Sequence, residues 1–482
     1  MNNLRLVKTI LASGLAEVSN KLAPLFLIHY AHSRIGLENF GSTQFIIGLI
    51  DLLATLVGLG YHQRAVMKVG ECIREGRLGD VPEIAGRIIG LRLIQAFVVF
   101  IPYVVYFGCF DKSIHAPVAL ALSFGFFTSA LDMTFLLIAE QKVIYITLFM
   151  LVARVLGIAA VLSAVANSGD YVYFALFTFG VAPFVSVLSF FYFIKKYHFK
   201  LPSLKGMQGE FLAAIPFGVF VFLAVAWMKM DLFVGEYILP PETFGIYAGV
   251  NKLYISLLHL IGSLSLVFFS ESLATDDVAV DQRFAKGATG MLLLCFGSIA
   301  LFVSFGAEDI IALLIGSSFT PGSGALVVLT WALFFLSAQS VILSQSYQKY
   351  GRMRPAVFCQ LANILGGALS ALILCQVLDN VMLGLALGVL LGSIMGLFYM
   401  HLATCSRVES VVISVLLRFL APLVLAYAAA RLAFGVHWLV KVFLSECIYI
   451  ALVMYLNRSF LGLVYRKLSG HFGFLGKKKA GH

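Results

Sequence analysis

Charge is scarce in this sequence. Lys, Arg, Asp and Glu make up only 12% of its 482 residues, whereas a water-soluble domain of this length carries about a quarter. No window is polar enough to fold as a separate aqueous domain, because apolar runs that match a ~30 Å hydrocarbon core recur down the whole chain. Cysteine is also thin: the seven residues stand at 72, 109, 295, 359, 375, 405 and 447, with no Cys-x-x-Cys and no clustering with histidine. That excludes a disulfide framework and a zinc site. No Ser, Cys or Asp constellation supports a nucleophile, and the longest outer stretch, about 307–322, leaves little room for a catalytic domain. The chain is therefore expected not to be an enzyme, and to hold no cofactor. A net charge of +10 could suggest nucleic acid, but the basic residues are dispersed in short loops and a tail, as membrane topology requires.

What is present is apolar: 61% of the residues are hydrophobic and the mean hydropathy is +0.96. The expected fold is an all-α polytopic membrane protein. Spans are expected at about 7–31, 39–60, 84–107, 116–139, 142–167, 170–194 and 211–236, then at about 243–271, 286–306, 323–346, 354–378, 381–403, 409–431 and 436–456. That is about fourteen crossings, so both termini share one side. With the termini in the cytoplasm, the inner segments collect most of the Lys and Arg, and only Arg34, Lys112 and Arg431 fall outside. The opening helix is too long and too charged for a cleaved leader and is expected to remain as an anchor. In the inner loop 61–83, Glu71, Arg74, Glu75 and Arg77 suggest a short surface helix or a solvated connector.

Several charges fall at membrane depth, where each costs roughly 2.5–3.5 kcal/mol on insertion scales unless it meets a partner, a cavity or the interface. Glu17 and Lys21 share one helical face, and Asp51 reaches a similar level from the next helix, so Lys21 could contact both carboxylates. Arg92 and Asp132 are expected to form a structural pair. Arg154 has no obvious partner at its level and is a candidate anion ligand. Lys229 and Lys252 either snorkel to the surface or face inward. In the second case Lys21, Arg154, Lys229 and Lys252 form a cationic substrate-binding cavity. Glu17, Asp51 and Asp231 are candidates for proton or sodium coupling. Lys441 and Glu446 lie apart from this set and are expected to be structural. Tyr30, Tyr145, Tyr247, Tyr254 and Tyr347 lie near helix ends, where interfacial tyrosines are expected. Pro24, Pro102, Pro183, Pro216 and Pro422 should bend their helices, and the Gly384, Gly388, Gly392, Gly396 series marks a tightly packed face.

One phrase occurs twice. Gly36-Leu37-Glu38-Asn39-Phe40-Gly41 returns about 200 residues downstream as Pro241-Glu242-Thr243-Phe244-Gly245-Ile246-Tyr247, each copy near a charged helix, which suggests a duplicated helical unit. The first copy resembles the Leu-Gly-x-Glu-x-Phe-Gly turn of polysaccharide-exporting flippases in the multidrug/oligosaccharidyl-lipid/polysaccharide superfamily. Met230-Asp231-x-x-x-Gly235 with the second copy resembles their seventh-to-eighth helix junction, and Ile310 to Gly316 resembles the segment before their tenth helix.

The resemblance implies a V-shaped pair of six-helix bundles at about 7–194 and 211–403, dividing the chain into residues 1–200, 201–405 and an added two-helix region, 406–482. It also implies a monomer in the bacterial cytoplasmic membrane. Its substrate would be an undecaprenyl-pyrophosphate-linked oligosaccharide, such as an O-antigen unit, carried outward by alternating access in concert with other polysaccharide-assembly proteins. Lys21 and Lys252 occupy counterpart positions to the basic residues of family cavities. A multidrug cation antiporter of the same superfamily, or a membrane-embedded polysaccharide polymerase or ligase, is the alternative.

Overall fold

The computed structural model describes residues 25, 27–197, 206–272, 278–403, 407–433 and 435–456. All regular structure among them is helical. Helix α1 covers the described residues 27–35 and α2 (Leu37–Gly58) follows after Gly36 alone. Gly36 has a φ of 80°, a backbone conformation that a residue without a Cβ adopts at no steric cost, so one residue suffices for the turn.

The chain continues through α3 (Tyr61–Arg74) and α4 (Val81–Val105), which ends in a π-helical turn at Tyr106–Phe110. Next come three short helices, α5 (His115–Leu122), α6 (Gly125–Ala130) and α7 (Thr134–Ala139), followed by α8 (Val143–Ala164), α9 (Tyr171–Phe179) and α10 (Val181–Tyr197). Two long helices, α11 (Met207–Ile238) and α12 (Pro241–Ser272), precede α13 (Val278–Leu314) and α14 (Ser323–Ile342). The remainder is α15 (Met353–Val377), α16 (Val381–Ala403), α17 (Arg407–Arg431) and α18 (Trp438–Leu456).

Twelve helical stretches of the described residues are long and apolar enough to cross a membrane, thirteen with the α9–α10 pair counted as one span bent by 40°. The expected first span, 7–31, lies mostly outside the described residues, so the count here is twelve or thirteen in place of about fourteen. The α9–α10 bend falls at Gly180, three residues before Pro183, whose ring cannot continue the preceding hydrogen-bond ladder. Pro102, Pro216 and Pro422 stay inside unbroken helices.

Three stretches refine the expectation. The inner loop 61–83 does hold a surface helix that includes Glu71 and Arg74, but it starts earlier than expected, at Tyr61, and ends at Arg74, before Glu75 and Arg77. Tyr61, Ala65, Val69 and Cys72 recur at helical spacing and pack on Val81, Ala85 and Ile88 of α4 and on Phe135 and Leu136 of α7. Second, the span expected at 116–139 is present as His115–Ala139, but it is interrupted between α5, α6 and α7, with the last interruption at Asp132. Third, the stretch 307–322 is mostly helical, because α13 runs on to Leu314 and a 3₁₀ segment covers Ser317–Gly322.

The chain packs as two compact units, Met1–Lys252 with Leu314–Phe319, and Leu253–Leu313 with Thr320–His482. In the first unit α2 packs against α4, α5, α6, α9 and α11 and buries Phe40 through Ile47 almost without interruption. By contrast α8 leaves Leu148, Leu151, Val155 and Leu156 exposed, the surface expected where lipid takes the place of water.

In the second unit α15 and α16 pack through glycine. A Cβ on Gly388 would lie 2.6 Å from that of Ala371, and one on Gly384 would lie 2.9 Å from the Cys375 amide. Beside this seam the Gln339 amide nitrogen donates to Asn363 at 3.1 Å and to the Ser393 carbonyl at 2.6 Å. Polar side chains thereby satisfy one another inside an apolar bundle.

Candidate functional site

The charged groups of the first unit fall into separate constellations, each set by how its helices cross. Asp231 is almost fully enclosed, only 1% exposed. One carboxylate oxygen accepts hydrogen bonds from the Tyr247 hydroxyl at 2.7 Å and from the Asn251 side-chain amide at 2.6 Å, and the other accepts from the Leu232 amide at 3.0 Å. Tyr247 and Asn251 are one turn apart on α12, so both reach the same point on α11. No lysine or arginine takes part in these hydrogen bonds, and the neutral donors alone hold the carboxylate. Such a group can exchange a small cation or a proton without breaking an ion pair. Tyr247, Tyr254 and Tyr347 are buried inside the helical packing.

Asp51 of α2 and Lys229 of α11 meet at 3.2 Å. The Lys229 stem runs beside Gly48, where a Cβ would lie 3.5 Å from its Cδ, and farther along the same crossing Gly60 lies against Phe217 and Gly218. Lys229 is therefore neutralised by Asp51. It is neither snorkelling alone nor a free cation. Lys252 is half-buried on α12. Arg154, half-buried on α8, has no acidic partner among the described residues, and its Nε has no hydrogen-bond partner. Glu17 and Lys21 lie outside the described residues.

Arg92 and Asp132 come together, though not as two side chains. Arg92, 2% exposed, donates from Nη1 to the Asp132 backbone carbonyl at 2.6 Å and lies over the Phe135 ring at 5.9 Å. The Asp132 carboxylate instead accepts from the Thr134 amide at 3.0 Å and faces His62 at 3.8 Å. The guanidinium satisfies a carbonyl freed where α6 ends and α7 has not begun, and Ser189 does the same for the Met133 amide.

Acids that the sequence reading passes over tie the helix ends. Glu140 accepts from Tyr197 at 2.7 Å and from Tyr192 at 2.8 Å, and pairs with Lys196 at 2.6 Å and Lys142 at 3.0 Å. Burial opposes its ionisation, yet Lys196, Tyr197, Tyr192 and Lys142 together outweigh that and hold the carboxyl down at about 2. On α11, Glu210 pairs with Lys68 and Arg64 of α3. His29 and His32, three residues apart on α1, stand ring to ring at 5.4 Å. Among the described residues no third His, Cys, Asp or Glu joins them in a metal-sized group.

The two copies of the Glu-x-Phe-Gly phrase touch. A Cβ on Gly41 would lie 2.9 Å from the Phe244 ring and 3.0 Å from the Gly245 Cα, while Gly245 itself packs against the Leu37 carbonyl. The first turns of α2 and α12 thus cross backbone on backbone, flanked by buried Phe40 and Phe244. Only glycine allows this approach.

The sequence profile described as polysaccharide biosynthesis protein matches residues 6–269, more than half the chain and both copies of that phrase. The chain belongs to this family. No curated protein sequence matches it. Solved structures similar to this polysaccharide biosynthesis family member share its fold at low identity. The lipid II flippase MurJ in an inward closed conformation has a TM-score of 0.71 at 15% identity, covering 94% of this chain and 100% of that one. An inward-facing multidrug resistance MATE family transporter of the MOP superfamily has a TM-score of 0.64 at 13% identity, with 82% and 95% covered. The outward-facing MATE conformation gives 0.62 at 14% identity, with 84% and 96% covered. The protein is thus a multi-pass membrane protein of the polysaccharide biosynthesis family, with the fold of the MurJ and MATE structures.

Proposed function

We propose that this protein is a flippase that moves an undecaprenyl-pyrophosphate-linked oligosaccharide, such as an O-antigen unit, from the inner to the outer leaflet of a bacterial cytoplasmic membrane. The observation that carries the reading is the polysaccharide biosynthesis match across residues 6–269 in a chain with a MOP transporter fold. Six-helix bundles at about 7–194 and 211–403 would open alternately to the two sides, with both termini in the cytoplasm. A pyrophosphate and its sugars cannot enter hydrocarbon unaided, so a hydrated cationic passage with the lipid tail left in the membrane lowers the barrier. Arg154, with no acid to neutralise it among the described residues, Lys21 and Lys252 are the cations assigned to that passage. Lys229 serves in a supporting role, because Asp51 already holds it.

The cycle needs an energy source, and Asp231 suits ion coupling because neutral donors alone surround it. A proton or cation bound there would shift the balance between two conformations only through its differential affinity for them. The test is substitution of Lys21, Arg154 and Lys252 by Ala, followed by measurement of lipid-linked oligosaccharide on the inner leaflet. Accumulation at normal protein levels is expected, and its absence removes the proposal. Export of a cationic drug is the second reading, favoured by the fold shared with the MATE transporters. Drug efflux that persists while no glycolipid accumulates would select it.

A further inference from the structure

The first unit contains a cavity of about 890 Å³ that the transport reading does not use. Its walls come from α2, from α4 with its π-helical turn, from the start of α5 and from the last turns of α11. One part is hydrocarbon, with Leu53, Leu56 and Val98 among its residues. The rest brings the rings of Tyr103, Tyr106 and Phe233 to the carboxylates of Asp111 and Glu236, and among the described residues neither Lys nor Arg contributes to the lining.

Glu236 is bonded on one side only. Its Oε1 lies 2.9 Å from Nε2 of His115, and the Nδ1 of that ring lies 2.7 Å from the Ser42 hydroxyl. A neutral imidazole satisfies both contacts, donating from Nε2 and accepting at Nδ1. Among the described residues the second carboxylate oxygen of Glu236, Oε2, is buried without a hydrogen-bond partner, and so is the Tyr103 hydroxyl. An anionic oxygen left without a donor is costly, and a donor carried in by a ligand removes that cost. Asp111, which accepts from the Ser113 amide at 2.8 Å, adds a second negative charge. The surrounding rings present π faces that attract a cation. The volume is that of a pocket for a drug-sized molecule.

We propose that this cavity binds a protonated amine carried on an apolar body. The ammonium donates to Oε2 of Glu236 among the rings, and the apolar body lies along the leucines of α2. An anionic ligand would be repelled by two carboxylates, and a pure hydrocarbon would leave Oε2 unsatisfied. Neither Arg154 nor Lys252 lines the site, and the proposal does not rest on the oligosaccharide assignment.

The test uses the purified full-length protein and three probes with one apolar body and different heads: phenylbutylamine, phenylbutanol and phenylbutanoate, with saturable binding measured by equilibrium dialysis. The amine is expected to saturate at one site per chain, the alcohol to bind at least about tenfold more weakly, and the carboxylate to show no saturable binding. Glu236→Gln should weaken the amine about tenfold and leave the alcohol unchanged. Leu53→Trp, which fills the cavity without touching the His115–Glu236 contact, should abolish saturable amine binding. Absence of saturable amine binding overturns the proposal. Equal binding of the three heads, or amine binding unaltered in both variants, also overturns it and leaves the cavity as a groove for lipid chains.

Discussion

Asp51 and Lys229 are unequal partners, the lysine side chain being 13% exposed and the aspartate 45%. Removing the aspartate strands the more enclosed charge. Asp51→Ala should therefore destabilise the protein by on the order of 1–3 kcal/mol, more than Lys229→Ala, and the double variant should recover part of the loss. Thermal unfolding of the four proteins in one detergent checks this; additive effects would show that the pair contributes nothing. Glu140 makes a pH prediction. Its folded carboxyl is depressed to about 2, so its stabilisation is present above the ordinary carboxyl range and is lost as pH falls from about 4.5 towards 2. Glu140→Gln should cost on the order of 2 kcal/mol at neutral pH, and its difference from the wild type should shrink across that window. A constant difference would assign the effect to packing. The sequence makes Asp231 visible through Met-Asp-x-x-x-Gly, but its partners Tyr247 and Asn251 follow only from the α11–α12 crossing. The Asp51–Lys229 contact spans 178 positions, and no periodicity reveals such a register.

Among the elements, hydropathy locates long helices well because lipid demands continuous apolar runs. It does not show the break at Asp132, since Leu131-Asp132-Met133 contains neither proline nor glycine. The pairing of Arg92 with Asp132 points to the right place, but not to its reason, which is a guanidinium that satisfies the interrupted backbone. Helix α3 is legible in part, since Glu71 and Arg74 mark a surface helix, while its start and buried face follow from Tyr61, Ala65, Val69 and Cys72. Its buried face makes a prediction: Val69→Asp should place a carboxylate against Ile88 and Phe135 and cost roughly 3 kcal/mol or more, while Met67→Asp on the exposed face should be nearly neutral. Protease sensitivity of the segment around Arg74 reports the difference. Similar losses for the two variants would refute the packed face.

For the whole molecule, ion coupling predicts that glycolipid transfer stops when the relevant gradient is collapsed and that Asp231→Asn uncouples transfer from it. Transfer in sealed vesicles that survives loss of both proton and sodium gradients would exclude Asp231 as a coupling group. The duplicated phrase was legible as an internal repeat, yet the contact between its copies was not, because a repeat states similarity and says nothing of adjacency. That adjacency has an evolutionary consequence. Gly41 and Gly245 occupy one shared space, so in an alignment of relatives the two columns should vary jointly, a bulkier residue in one being tolerated only where the other remains small.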